Sequence, residues 1–570
     1  MSPSSPRRTS SATDGIEPPM APALPAHSHA EFDLTRREKV FTIIGTLLGL
    51  LLAALDQTIV GTAGPAMQRD LHISPALYPW ITTAYLVSST VMVPIYGKLS
   101  DLFGRKPVLV FGIVLFLVGS VACAASNTTP VLIASRALQG VGAAALFTSA
   151  FAVVADIFAP AERGKYQGIF GSAFALSSIV GPLLGGFLTD TLSWHWVFLV
   201  NLPLGAIAIA FVIAKMPMLK RPRAHRPSID WAGAAALLIA VVPFLVALSL
   251  ARQSGADADA RWVPAALLGM SVVGIIAFIA VERRAAEPLL NLRLFENKVF
   301  RIGNLAAFIL GAGFLAAIVF LPLFMVNVVG LSATSAGLTL TPLTFGIVAG
   351  NIGSGQIVAR IGRYKPLMLI GNLIMIAGYA VLAFTLRSDS SQTEVTLKMV
   401  LLGVGLGPSI PLFTLAIQNA VSPREIGVAT ASATFFRQIG STLGVTLLGA
   451  VFAFSLASGL SKVRPAPVLA GVAPPAAAEV ASEGGAPIRL HVDVPAWRDR
   501  VHKTFADPTV RAQALAAVDD LDRETKRRFT DAVRAIFVWG LGIALLGLVC
   551  TSLIPELPLR KAAARVPPGE

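Results

Sequence analysis

Two charged residues lie well inside apolar stretches of this chain: Asp56, in "LDQTIVGTAGP" (Leu55 to Pro65), and Arg136, in "SRALQGVGAA" (Ser135 to Ala144). A charge at the centre of a bilayer costs about 2.5–3.5 kcal/mol on insertion scales, so one that is kept there marks a functional site by default. Burial raises a carboxyl group's affinity for a proton, and a neighbouring guanidinium lowers it again. If access to either face alters that balance, Asp56 can take a proton on one side and release it on the other. Arg136 would tune it, with Gln139 as a polar neighbour. The chemistry on offer is proton exchange. The alternative is a static pair that only locks two helices together. Arg437 and Gln438, in "FFRQIGSTLG", make a comparable polar point later in the chain. It serves a substrate or an inter-half network, or else simple helix packing.

A further cluster sits in "GKLSDLFGRKP" (Gly97 to Pro107), where Lys98, Asp101, Arg105 and Lys106 fall within eleven residues of a chain that is only 14% charged. Asp101 and Arg105 are four apart and pair on one face if the helix persists. Gly97 and Gly104 allow close backbone approach and tight turning. Asp156 is the expected third member of this cluster. "SPRE" (Ser422 to Glu425) reads as a capping box with proline at the first helical position. The helix it opens presents free N–H groups and a partial positive charge. The competing reading is that these loop charges only set topology, which explains Lys98 and Lys106 but not the spacing of Asp101.

The elements that must position these groups are membrane helices. The 570 residues are 54% hydrophobic with a mean hydropathy of +0.70, against about 25% charged and roughly 45–50% apolar in soluble domains. Stretches of the required length, about 20 apolar residues, number fourteen. They lie at approximately 41–65, 78–98, 107–126, 131–155, 166–189, 196–216, 229–250, 263–282, 302–328, 336–358, 367–386, 396–420, 427–457 and 533–554. Residues 1–39 read as a disordered cytoplasmic tail without a signal peptide's apolar core and cleavage site. Both cysteines, Cys123 and Cys550, fall in apolar stretches, so no disulfide framework is expected.

The net charge of +14 raises the question of nucleic acid, and its distribution answers it. With the N-terminus placed inside, inner tails and loops carry about 27 Lys and Arg, including Lys215, Lys220, Arg221, Arg223 and Arg226, while the short outer loops carry about five. The long outer loop 458–532 holds 11 basic and 10 acidic residues. Its part from Pro508 to Phe529 has helical spacing and is expected to form a surface helix over the outer mouth, as a gate or as a plain connector. The basicity orients helices, and no nucleic-acid partner is expected.

Four short stretches recur at an offset of about 260 residues and in one order. "GKLSDLFGRKP" matches "GQIVARIGRYKP" at 355, "ALQGVGAA" matches "VLLGVGLG" at 400, "APAERG" matches "SPREIG" at 422, and "IVGPLLGG" matches "TLGVTLLG" at 442. An even number of helices separates the copies, so they share one orientation. The expected fold is all-α: two six-helix bundles in parallel repeat, 40–217 and 301–570, with two additional helices within 218–300. Parallel repeats place a substrate site between the halves near mid-membrane.

With these motifs in place, the chain resembles the major facilitator superfamily, specifically its fourteen-helix drug:H⁺ antiporters, over nearly its whole length. "LDQTIVGTAGP" looks like the family's helix-1 signature, "GKLSDLFGRKP" its loop-2/3 signature and "SRALQGVGAA" its helix-4 signature. "GIFGSAFALSSIVGPLLGG" (Gly168 to Gly186) resembles the helix-5 antiporter motif, with Ser177 where glycine is usual. His195, in "SWHWVFLVNLP", replaces the usual arginine. The resemblance implies that Asp101 docks against the second-half helix opened by "SPRE" when the inside is closed, a polar latch. Because Ala359 stands where Asp101 has its counterpart, that latch is one-sided. Gly181, Pro182, Gly185 and Gly186 combine close helix packing with, on the resemblance, prevention of leak. Among Phe308, Phe314, Phe320, Phe324, Phe345, Phe435 and Phe436, only a few are expected to line a cavity.

The functional expectation is a proton-coupled exporter of hydrophobic or amphipathic compounds, a monomer in a bacterial inner membrane with both termini cytoplasmic. Its partners are the lipid bilayer, protons and small molecules. No Gly-x4-Gly-Lys-Ser/Thr phosphate cradle, HExxH or nucleophile elbow occurs, and no enzyme activity, cofactor or metal is expected. Export of one dedicated natural product, lipid or siderophore, and a non-transporting sensor on the same fold, are the alternatives.

Overall fold

The computed structural model describes residues 34–74, 77–219, 229–253, 262–331, 340–463, 466–469, 472 and 494–559. The expected tail as far as residue 33, the basic residues Lys220, Arg221, Arg223 and Arg226, and most of 464–493 lie outside them. The described residues form helices and no strand. Twelve helices among them are long and apolar enough to cross a membrane. Two more of comparable length, Trp80–Phe103 and Leu340–Ile361, carry hydroxyl residues and glycines that dilute their hydropathy.

The first group comprises α1 (Arg36–Asp70), α2 (Trp80–Phe103), α3 (Arg105–Ala124), α4 (Thr129–Ile157), α5 (Pro160–Thr191), the single turn α6 (Trp196–Leu199) and α7 (Asn201–Lys215). Helix α1 opens with a capping box in which the Thr35 amide donates to Glu38 Oε2 at 2.8 Å and the Glu38 amide donates back to Thr35 Oγ1 at 3.3 Å. Then follow α8 (Trp231–Gln253) and α9 (Trp262–Glu282). The second group is α10 (Lys298–Asn327), α11 (Leu340–Ile361), α12 (Lys365–Thr385), α13 (Gln392–Leu406), α14 (Pro411–Asn419), α15 (Ile426–Leu460), α16 (Val494–Thr504) and α17 (Pro508–Leu553).

In the first group α1 packs on α5 and α7, and α4 packs on α2 and α3. In the second, α10 packs on α15, α13 on α11 and α12, and α17 on α10 and α12. The two groups meet along α2 with α15 and α5 with α11. Small residues make this approach possible: a side chain at Gly168 would lie 2.5 Å from the Asn351 carbonyl oxygen, and one at Gly97 would lie 2.9 Å from that of Gly427. The pair α8–α9 leans on α2 and α15 through α8. Only 17% of the most apolar window of α9 is buried, as suits a helix facing lipid.

Three local expectations change. Helix α2 does not persist to Arg105, because Gly104 takes φ +97° and breaks it. "SPRE" does not form a capping box either: Pro423–Glu425 is a 3₁₀ turn, Ser422 makes no side-chain cap, and its hydroxyl donates to Glu425 Oε2 at 2.8 Å instead. The segment Pro508–Phe529 is no separate surface helix. It is the first part of α17, whose 46 residues span about 69 Å at 1.5 Å per residue, twice the ~30 Å apolar core. Its outer part carries a small core of its own, where Trp497 and Val501 of α16 pack with Leu469, Val472, Ala514 and Val518.

Candidate functional site

Asp56 sits where α1, α3, α4 and α7 converge, and it is fully buried. Its Oδ2 accepts from Arg136 Nη1 at 2.7 Å. Its Oδ1 accepts from Gln139 Nε2 and from Asn201 Nδ2, both at 2.8 Å. Behind them, Ser120 Oγ accepts from Gln139 at 2.6 Å and from Asn201 at 3.2 Å. Arg136 Nε donates to the Ile81 carbonyl at 3.1 Å, and its guanidinium lies 4.4 Å from the centre of the Tyr85 ring. The Tyr85 hydroxyl donates to the Ala53 carbonyl at 3.2 Å, the Phe198 ring lies 5.8 Å from the Arg136 guanidinium, and the side-chain Oδ1 of Asn201 is a buried atom of this node left without a partner. Desolvation is costly for such an ion pair, and removing either charge strands the other at about 3–5 kcal/mol.

The expected polar latch residues come together at one end of the molecule. Arg105 bridges Asp101 at 2.6 Å and Asp156 at 2.6 Å, and also donates to Ser100 Oγ. Although Gly104 ends α2, its turn folds Arg105 back onto Asp101. Asp101 then accepts from the Gly427 amide at 3.2 Å and the Val428 amide at 3.1 Å. These are second and third residues of α15, the donors an N-cap side chain normally satisfies. Asp101 of the first group thus caps a helix of the second, filling the role that Ser422 leaves vacant. Lys98 pairs with Glu287 at 2.6 Å, and Lys106 Nζ donates to the carbonyls of Ile213 and Met216 at 2.8 and 2.7 Å. On the neighbouring seam Gln167 donates to Gln418 Oε1 at 2.7 Å, and Gln418 to Thr430 Oγ1 at 2.8 Å. In the second half, near Ala359, Arg363 pairs instead with Glu556 at 2.7 Å, in solvent.

Between the groups lies a cavity of about 120 Å³, small beside the ~300–1,000 Å³ usual for ligand sites. Leu50 and Gln57 of α1, Leu86 and Thr90 of α2, Phe147 and Phe151 of α4 and Phe170 of α5 form one wall. Phe314 of α10, Ile410, and Thr434, Arg437, Gln438, Ser441 and Thr442 of α15 form the other. Asp56 is not among them: one residue is about 100° of helix, so Gln57 faces the cavity while Asp56 faces the bundle. Of the second-half phenylalanines, Phe314 lines the space, Phe320 and Phe324 are core, and Phe345 is 63% exposed on the outside. The first-half ring wall was not anticipated from sequence.

The helix-5 motif packs on α1. A side chain at Gly181 would lie 2.8 Å from Thr58 Cβ, and one at Gly185 would lie 2.6 Å from the Ile59 carbonyl oxygen. Gly186 faces open space, and Pro182 lies inside the helix. Buried Ser177 leaves its carbonyl to accept from Thr58 Oγ1 at 2.7 Å. His195 stacks on Trp194 with ring centres 3.7 Å apart, and Trp194 packs edge-on against Phe198, whose ring lies beside Arg136. Asn201 and Ser120 were missed in the sequence. The signal for Asn201 was a lone amide in the apolar "VFLVNLP".

An all-helical membrane fold, two groups of helices meeting around a cavity, and a buried ion pair beside a sealed seam define a secondary transporter. The chain belongs to the Major Facilitator Superfamily, whose family model matches residues 46–445. It is 40% identical over 415 residues to the multidrug transporter protein MdtP of Bacillus subtilis (strain 168), covering 73% of this chain and 75% of that one. It is likewise 40% identical over 415 residues to multidrug resistance protein 3 of the same organism, covering 72% and 79%. It is 32% identical over 408 residues to the efflux pump dotC of Dothistroma septosporum, covering 71% and 69%. Among solved structures, the proton:xylose symporter XylE aligns over 92% of this chain and 97% of its own with a TM-score of 0.57 at 14% identity. The human organic anion transporter MFSD10 gives the same TM-score over 90% and 99% at 15% identity. At those identities the likeness concerns the fold.

Proposed function

We propose that this protein is a proton-coupled exporter of hydrophobic and amphipathic compounds that works by alternating access. It acts as a monomer in a bacterial plasma membrane with both termini cytoplasmic. Three features support the reading: the efflux relatives at 40% identity, the aromatic-walled cavity between the groups, and the distribution of basic residues. The observation that carries the coupling is the Asp56–Arg136 pair, fully buried and joined at 2.7 Å.

Protonating Asp56 at Oδ2 removes the partner charge of Arg136, and the resulting imbalance of about 3–5 kcal/mol is what the helices around the node can relieve by rearranging. The membrane potential supplies about 2.3 kcal/mol per charge per 100 mV, so the two quantities are matched in size. The bundles 40–217 and 301–570 swing about the cavity, with 218–300 as an accessory pair. Asp101, Arg105 and Asp156, with Gly97 and Gly104 at the turn, hold the cytoplasmic side shut. Gly181, Pro182, Gly185 and Gly186 keep α5 tight on α1 against leak.

The test is dye efflux from a pump-deficient strain carrying the protein or Asp56→Asn, with and without a protonophore. Wild-type efflux should collapse on protonophore addition, and the variant should lose coupled efflux while reaching the membrane at normal levels. Undiminished coupled transport in Asp56→Asn defeats the reading.

A further inference from the structure

We infer that the cavity selects amphipathic organic anions, an apolar or aromatic body bearing a carboxylate or sulfonate, and that Arg437 is the residue that binds the charge. This rests on the transport reading above and adds the substrate class.

The cavity wall has one formal charge. Arg437 projects from α15 into it, no carboxylate lines it, and among the described residues Arg437 has no acidic partner. The sequence explains why no acid reaches it. The chain has no Asp or Glu between Glu296 and Asp389, nor between Glu425 and Glu479, so α10, α11 and α15 are free of acid across the membrane. Glu394, at the start of α13, is bound by Lys398. From the other group, Asp56 is held by Arg136 on the far face of α1, while Asp101 and Asp156 are held by Arg105 at the latch.

Two of the hydroxyls on this wall have their donors engaged: Ser441 donates to the Gly311 carbonyl at 3.0 Å, and Thr442 to the Gln438 carbonyl at 3.0 Å. The guanidinium is the charged donor of this wall, and its fork fits a carboxylate or sulfonate with two parallel hydrogen bonds. Phe147, Phe151, Phe170 and Phe314 offer the apolar body its walls. A cation entering the same space meets Arg437 and no counter-charge, and like charges brought together in an apolar site repel strongly.

This has an energetic corollary. An anion moving out and a proton moving in both carry positive charge inward, so the export is electrogenic. Its steady-state gradient should change about tenfold per ~60 mV of imposed potential for each net charge moved.

The experiment uses the full-length protein in everted membrane vesicles and three probes that share one ring system: dansylglycine (anion), dansylamide (neutral) and dansylcadaverine (cation). Protonophore-sensitive uptake should run in the order anion, neutral, cation. Arg437→Gln should weaken dansylglycine uptake about tenfold to a hundredfold, the worth of a hydrogen bond to a charged group, and should spare dansylamide. Arg437→Lys should keep the preference for the anion, and dansylamide uptake by each variant reports that it folds. If the cation is carried as well as the anion, or Arg437→Gln leaves the order unchanged, the anion assignment falls while proton-driven export stands. If no probe moves in a protonophore-sensitive way, the export reading itself falls, and the assignment with it.

Discussion

At the scale of single residues, the node around Asp56 is set by satisfied valence. Both carboxylate oxygens are used, by one guanidinium and two amides, so each donor limits how easily the group can change state. Asn201 is a positioning residue in this scheme. Asn201→Ala removes one donor to a charged acceptor, worth about 1.5 kcal/mol or more. Proton-driven transport should fall about tenfold, with a pH profile displaced from wild type and normal amounts of protein in the membrane. Initial rates in everted vesicles across a pH series measure this. A rate that changes only in step with protein level, at an unmoved profile, would make Asn201 merely structural.

Between elements, the seam of α2 with α15 is held by a glycine and a helix cap. Gly97 places α2 against Ala431 and Gly427, and Asp101 then reaches two free amides of α15. Gly97→Val forces these helices apart, and overpacking of this kind costs about 1–3 kcal/mol, or about a fivefold to hundredfold shift in population. Spin labels at Lys215→Cys and Arg360→Cys, both exposed in the native chain, should report longer distances in Gly97→Val. The native Cys123 and Cys550 are buried and leave the labelling specific. An unchanged distance distribution would remove the seam from the gating scheme.

For the whole molecule, the unusual feature is α17, which leaves the bundle and continues into a small outer core centred on Trp497. Trp497 is 5% exposed, and truncating a buried tryptophan costs about 3–5 kcal/mol, enough to unpack α16 from α17. Trp497→Ala should therefore speed proteolysis between 461 and 507 while leaving dye efflux unchanged, as expected of a connector. Lost efflux in this variant would mark the outer core as a gate.

The class of protein and its approximate helix positions were legible without coordinates, because a span of the bilayer requires a long apolar run and a buried charge stands out against it. Asp56, Arg136 and Gln139 were found this way, and their mutual contact followed from similar depth. Pairing across distant segments was only partly legible. The Asp101–Arg105 spacing was visible, and the docking of Asp101 on the helix after "SPRE" was implied by the family resemblance, but the break at Gly104 and the two amides that Asp101 meets depend on backbone angles and a neighbour over 320 residues away. Asn201 and the aromatic wall of Phe147, Phe151 and Phe170 were hidden among many similar residues, since composition does not say which face of a helix looks inward. Only the packing decided that Asp56 turns into the bundle while Gln57, one residue on, faces the cavity. The sequence alone determined that α10, α11 and α15 carry no acid, whereas the tertiary structure decided that Arg437 opens onto the cavity between the groups.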